Sequence, residues 1–201
     1  MNTTKVINLR TGILLLFILL AAFSRMLPHP ANFSPIAITG LFGAAYFSKK
    51  WQIFLIPIAA TWLSDLFINN MIYAAYYPKF TWFYPGFYCQ YGSYLLITLV
   101  GIFILKRVNV SRIIGAALMA TLLFFLLTNF GVWIGSKVYP QHLTGLISCY
   151  VAGIPFLKGT LMGNLFYSTV MFGAFALMQQ KLGFLKAAKN QVTTMKPINV
   201  R

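Results

Sequence analysis

Acidic residues are almost absent from this chain: a lone aspartate, Asp65, and no glutamate stand against 16 Lys+Arg in 201 residues. Histidine and cysteine are nearly as scarce. His29 and His142 fall outside any HExxH pattern. Cys89 and Cys149 have neither metal-ligand spacing nor a disulfide framework. No Walker A or GxGxxG stretch is present, which argues against an intrinsic ATPase or dinucleotide enzyme. No nucleophile–base pair stands at helical spacing, so the expectation is that the chain is not an enzyme. Charged residues of both signs make up only 8%, against roughly 25% in soluble domains. Such a chain cannot solvate its own exterior in water.

What is present is apolar surface: 59% hydrophobic residues and a mean hydropathy of +0.76. Lipid is therefore the expected solvent. The net charge of +15 does not imply nucleic acid, because basic residues of membrane proteins collect on cytoplasmic loops and set orientation. Asp65 ends the apolar run IPIAATWLSDLFINN. An ionisable group there is costly and is by default a functional-site candidate.

Six apolar stretches approach the length needed to cross a hydrocarbon core of ~30 Å. They run near 11–27, 34–48, 51–70, 87–106, 112–136 and 157–180. The expected fold is an all-α integral membrane protein, residues 1–201 forming a single transmembrane domain of six helices in one bundle. The second stretch is short, and Gly40, Gly43, Ala44 and Ala45 favour close packing inside the bundle. With the N-terminus inside, inner segments carry Lys5, Arg10, Lys49, Lys50, Lys106, Arg107 and Arg112, then a basic cytoplasmic tail over 183–201. Outer segments carry Arg25, Lys79, Lys137 and Lys158. This positive-inside bias predicts a multi-pass bacterial inner-membrane protein with both termini cytoplasmic. Ala22-Phe23-Ser24 looks like a cleavage site, but removing the first segment leaves an odd helix count, so its retention is expected.

Outer connections are rich in Pro, Gly, Tyr, Trp and Phe, and polar residues within the helices lie toward the same side. Interfacial aromatics account for part of this; a rigid concave surface accounts for the rest. Asp65 has Arg25 as its candidate partner, either as an ion pair fixing two helices or as a ligand-orienting group. Pro28, Pro30 and Pro35 stiffen the loop that presents His29 and Asn32. Asn129 and Trp133, four apart, share a helical face. Lys158 and Asn164 belong to the last helix. Cys89 is an inert thiol, a disulfide partner of Cys149, or a thiolate ligand to a metal-containing molecule. Arg25, His29, Asn32, Asp65, Cys89, Asn129, Trp133, Lys158 and Asn164 are the expected substrate-binding residues.

These motifs resemble a family of uncharacterised bacterial membrane proteins. Its members are similar in an Arg-x-x-Pro-His-Pro-x-Asn-Phe-x-Pro segment (here Arg25 to Pro35), LFGAAYF (41–47) and Leu-Ser-Asp (63–65). They are similar again in Thr-Asn-Phe-Gly-Val-Trp (128–133), Tyr-Pro (139–140) and Gly-Leu-x-x-Cys-Tyr-x-Ala-x-x-Pro-Phe (145–156). More distantly, the plan resembles the S-components of energy-coupling factor transporters, small six-helix proteins that capture vitamins or metal ions from outside. That resemblance implies a small-molecule ligand, energy-coupling subunits as partners, and a small-residue partner surface at Gly40–Ala45. A cobalamin-binding branch of that group directs a cysteine toward cobalt, which implies Cys89 with His29 and Asp65, and cobalamin as candidate ligand.

The expected function is a membrane-embedded substrate-binding subunit for vitamin-like uptake, with an outward-facing polar and aromatic pocket and no resident cofactor. The alternative is a structural or assembly protein that binds another envelope protein through its outer loops.

Overall fold

A computed structural model describes residues 3–186. Within them lie six α-helices: α1 (Thr3–Ser24), α2 (Ile36–Tyr46), α3 (Lys50–Phe67), α4 (Phe87–Ile104), α5 (Val110–Gly135) and α6 (Leu143–Lys181). No strand occurs among the described residues. Four helical segments, Lys50–Ile72, Phe87–Ile104, Val110–Gly135 and Leu143–Lys181, are long and apolar enough to cross a membrane. Their outward faces carry large apolar side chains such as Leu55, Phe103, Leu122, Met162 and Leu177. In water so much exposed apolar surface would drive association; in lipid it is the solvated face.

α2 is the centre of the bundle. All 11 of its residues are buried, and it touches each of the other helices. Phe42 stacks on Phe17 of α1 and meets Phe172 and Phe175 of α6 edge-on. Leu14, Ile18, Leu41 and Ile97 complete this apolar centre. α2 is shorter than the 34–48 stretch expected. At about 1.5 Å per residue it covers roughly half of a ~30 Å core. Its small residues face inward: a Cβ at Gly40 would overlap the Thr98 hydroxyl of α4. Gly40–Ala45 is therefore no surface for a partner subunit, which corrects what the S-component resemblance implied.

The sixth helix begins at Leu143, not near 157. Pro155 reads as a breaker because it lacks an N–H to return to the carbonyl four residues back. Here neighbouring turns carry the helix through it, and α6 extends over 39 residues. The loop expected over 137–156 shrinks to 136–142. Buried hydroxyls within these helices bond carbonyls of their own preceding turn, as Thr61 does to Pro57, Thr98 to Tyr94 and Thr121 to Ala117. These hydroxyls are thereby paired in an apolar setting, whereas Ser168 Oγ, Trp62 Nε1 and Asn69 Nδ2 are buried with no hydrogen-bond partner among the described residues.

After α6 the chain turns through Gly183–Leu185, and Leu185 is fully buried. Its carbonyl accepts from Arg10 Nε at 3.2 Å and from Gln179 Nε2 at 3.2 Å. The start of α1 and the end of α6 thus meet at one end of the bundle. From residue 187 onward the expected basic tail lies outside the described residues.

Candidate functional site

The opposite end is organised by the single carboxylate. Asp65, on the last turn of α3, is 3% exposed. Its Oδ1 accepts from Arg25 Nη1 at 2.6 Å, and its Oδ2 accepts from the Tyr91 hydroxyl of α4 at 2.7 Å. Arg25 Nη1 also donates to Ser64 Oγ at 2.8 Å. One cation, one anion and two hydroxyls thereby lock α1, α3 and α4 together at this end of the bundle. Charge-assisted bonds of this kind are about twice as strong as neutral ones, and the pairing offsets the cost of removing Asp65 from water.

Beyond Asp65 the α3 helix widens into a π-helical turn, Ile68–Ile72, closed by the Tyr73 N–H on the Ile68 carbonyl. Such turns recur at functional sites. Ile68 and Tyr73 both reach a cavity of about 370 Å³, whose wall also includes Arg25, Asn32, Gln90, Tyr94, Thr160 and Asn164. A second cavity of about 330 Å³ adjoins it, sharing Asn32, Gln90, Phe124 and Thr160 and adding Asn129 and Cys149. A third, of about 400 Å³, contains Cys89 and again Gln90.

Gln90 is the junction of all three cavities. The Tyr84 hydroxyl donates to its Oε1 at 2.5 Å, which fixes the amide. Burial, reinforced by Tyr94 and Asp65, raises the Tyr84 phenol above its ordinary ionisation range, so the donor stays protonated.

The roof of the first cavity is the connection between α1 and α2. Asn32 takes a left-handed conformation, φ 59, which asparagine tolerates better than most residues. The connection lies directly on α6. A Cβ at Gly159 would overlap the Ala31 carbonyl oxygen, and one at Gly163 would press on Ser34 N and the Phe33 backbone. Phe33 then packs against Phe166 and Tyr167. The Gly159/Gly163 pair thus seats a loop backbone and not a second helix.

Of the expected binding residues, Arg25, His29, Asn32 and Asn164 line the first cavity, and Asn129 with Asn32 lines the second. Asp65 stands behind Arg25 and lines none of these cavities. His29 Nδ1 lies 2.9 Å from the Pro30 carbonyl and Nε2 lies 3.2 Å from the Arg25 carbonyl. Both ring nitrogens face acceptors, so the imidazole braces its own loop and presents no lone pair to a ligand. Asn164 is buried and donates to Thr121 Oγ1 at 2.9 Å.

Two expected residues lie elsewhere. Trp133 Nε1 donates to the Pro140 carbonyl at 2.9 Å, holding the α5–α6 turn. Lys158 is exposed and lines none of the cavities described. Cys89 shares no cavity with Arg25 or His29, and both cysteines are free thiols. Cys149 donates weakly to the Asn129 carbonyl at 3.4 Å. Among the described residues no cluster of three or more His, Cys, Asp or Glu side chains suits a metal ion. Gln90, Tyr94, Thr160 and Tyr73 are wall residues that the sequence reading did not select. Their types are ordinary in helices and interfacial loops, and only tertiary packing brings them together.

A family model covers residues 5–189, nearly the whole of this arrangement. The chain belongs to the Family of unknown function (DUF6580). For this DUF6580 protein, neither a curated protein nor a solved structure gives a match. The family brings no activity with it, so the chemistry of the cavity carries the functional reading.

Proposed function

We propose that this protein is a non-enzymatic, membrane-embedded binding subunit that captures a small polar molecule from outside the cell for uptake. The observation that carries this reading is the Arg25-lined cavity, at the end of the bundle opposite the Arg10–Leu185 contact. Its wall mixes amide and hydroxyl groups with aromatic surface, the usual make-up of a small-molecule site. Its volume, about 370 Å³, falls in the lower part of the range for small-molecule pockets, ~300–1,000 Å³. The bundle acts as a bacterial inner-membrane protein with both termini cytoplasmic and six crossings, the buried α2 and its flanking loops completing the second. The absence of a nucleotide motif assigns energy coupling to partner subunits, in the manner of S-components.

The test is to purify the protein from native membranes and identify co-purifying small molecules by mass spectrometry. Wild-type protein is expected to retain a molecule that Gln90→Met loses while remaining monodisperse. Equal retention by both proteins, or none by either, refutes binding in this cavity. A visible spectrum of protein from cobalamin-fed cells checks the Cys89 arm in the same preparation. Colourless protein removes cobalamin from consideration.

The second reading is an envelope assembly protein, favoured by the length of α6. At about 1.5 Å per residue, its 39 residues give roughly twice the thickness of a ~30 Å core. The α5–α6 turn exposes Val138, and the first turns of α6 expose Leu143, Ile147 and Val151. Recovery of one stoichiometric envelope partner in the native pull-down, with no small molecule, establishes this alternative.

A further inference from the structure

The geometry points to a monocarboxylate as the molecule held in the first cavity, its carboxylate seated on the Nε/Nη2 edge of Arg25. This rests on the binding reading above and deepens it. A guanidinium has five N–H donors in a fixed plane. Nη1 is spent, with Asp65 Oδ1 at 2.6 Å and Ser64 Oγ at 2.8 Å. Among the described residues neither Nε nor Nη2 makes a hydrogen bond, and Arg25 lines the cavity. What remains is the side-on edge of the guanidinium, two parallel N–H groups matched to the two oxygens of a carboxylate.

The charge balance selects one negative charge and not two. Asp65, held on the far side of Arg25, already offsets part of its charge while orienting it. The remaining outer-side lysines supply no second cation, since Lys79, Lys137 and Lys158 line none of the three cavities. A phosphate dianion there sets two charges against the one, partly offset, cation of Arg25, whereas a carboxylate sets only one and matches the two-donor edge. The rest of the wall holds the body of the ligand: Gln90, Asn164 and Thr160 offer amide and hydroxyl groups, and the stacked Tyr94–Phe124 pair offers apolar surface (ring centroids 5.7 Å apart). The ligand is therefore a small ring-bearing acid with hydrogen-bonding groups on its body.

Three probes of one shape test this on the full chain in detergent or nanodiscs: benzoate, benzamide and phenyl phosphate, followed by saturation-transfer NMR and thermal unfolding. Benzoate is expected to bind at least about tenfold more tightly than the other two, the worth of a charge-assisted pair of bonds. Arg25→Lys keeps the charge and the Asp65 contact but removes the fork; it is expected to abolish the preference for benzoate. Gln90→Met, which leaves the ion pair intact, is expected to weaken all three probes and keep their order. Should Arg25→Lys fail to fold, the probe order in the wild type decides. Tighter phenyl phosphate overturns the monocarboxylate in favour of a phosphate-bearing ligand. Equal binding of all three overturns the fork while leaving the cavity a binding site. Binding of none, together with no co-purifying molecule, overturns both this inference and the binding reading. Binding of none with a co-purified molecule that lacks a carboxylate overturns this inference alone.

Discussion

Asp65 bonds Arg25 through one oxygen and Tyr91 through the other, and removing it leaves a mostly buried guanidinium without its partner. Breaking a buried pair on one side typically costs ~3–5 kcal/mol, whereas replacing both partners with apolar residues is often neutral. Asp65→Ala is expected to lower the thermal midpoint sharply, and Arg25→Met/Asp65→Leu to restore much of it. A double variant as unstable as the single one contradicts an ion pair at this site. The comparison also separates structure from binding: a restored fold with no bound molecule assigns Arg25 to the ligand. This pair was legible in the sequence, because a sole carboxylate in an apolar chain requires a cation and Arg25 stands at a matching helix end. His29 was legible as a wall residue but not in its role. Nothing in the Pro-His-Pro spacing shows that both ring nitrogens turn back onto carbonyls. Trp133 and Lys158 were misplaced for a simpler reason: helical position gives a face, and the α5–α6 turn decided which way that face points.

At the scale of elements, most helix positions followed from hydrophobic runs, while α2 and α6 departed from expectation through the same physics. Small residues and proline signal loops in soluble chains. In this bundle they mark close contact: Gly153 accommodates the Asn129 side chain, and Gly159 and Gly163 accommodate the loop backbone. The run Gly153-Ile-Pro-Phe-Leu-Lys-Gly159 therefore belongs to a helix. This makes the loop seat testable. Gly163→Leu is expected to lift the 31–34 backbone off α6, with an overpacking cost of about 1–3 kcal/mol, and to make the connection between α1 and α2 susceptible to protease added from outside. Gly173→Leu serves as the control, since no atom lies within 4 Å of a Cβ there. Matching protease sensitivity in the two variants removes the seat as the explanation.

For the whole molecule, the decisive quantity is which end faces outward, because a capture site works only from the side where its ligand arrives. The basic segments and the ends of the first and last helices lie together at one end of the bundle. Basic residues concentrate at one end, with Lys49 and Lys50 at the start of α3, Lys106 and Arg107 between α4 and α5, and Arg112 in the first turn of α5. That end also holds the bond from Arg10 of α1 to the Leu185 carbonyl after α6, so the first and last helices terminate on the same side. The positive-inside rule assigns that side to the cytoplasm. Reporter fusions after Arg201 are expected to be active only as cytoplasmic reporters. Insertions between Tyr77 and Phe80, and at Ser136 in the α5–α6 turn, are expected to be active only as periplasmic ones. Cysteine labelling gives the same comparison without a fusion: in a background lacking Cys89 and Cys149, Lys137→Cys reacts with a membrane-impermeant maleimide in intact cells, and Lys106→Cys reacts only after lysis. The reverse pattern places the Arg25 cavity on the cytoplasmic side and ends the capture reading, whatever the cavity binds.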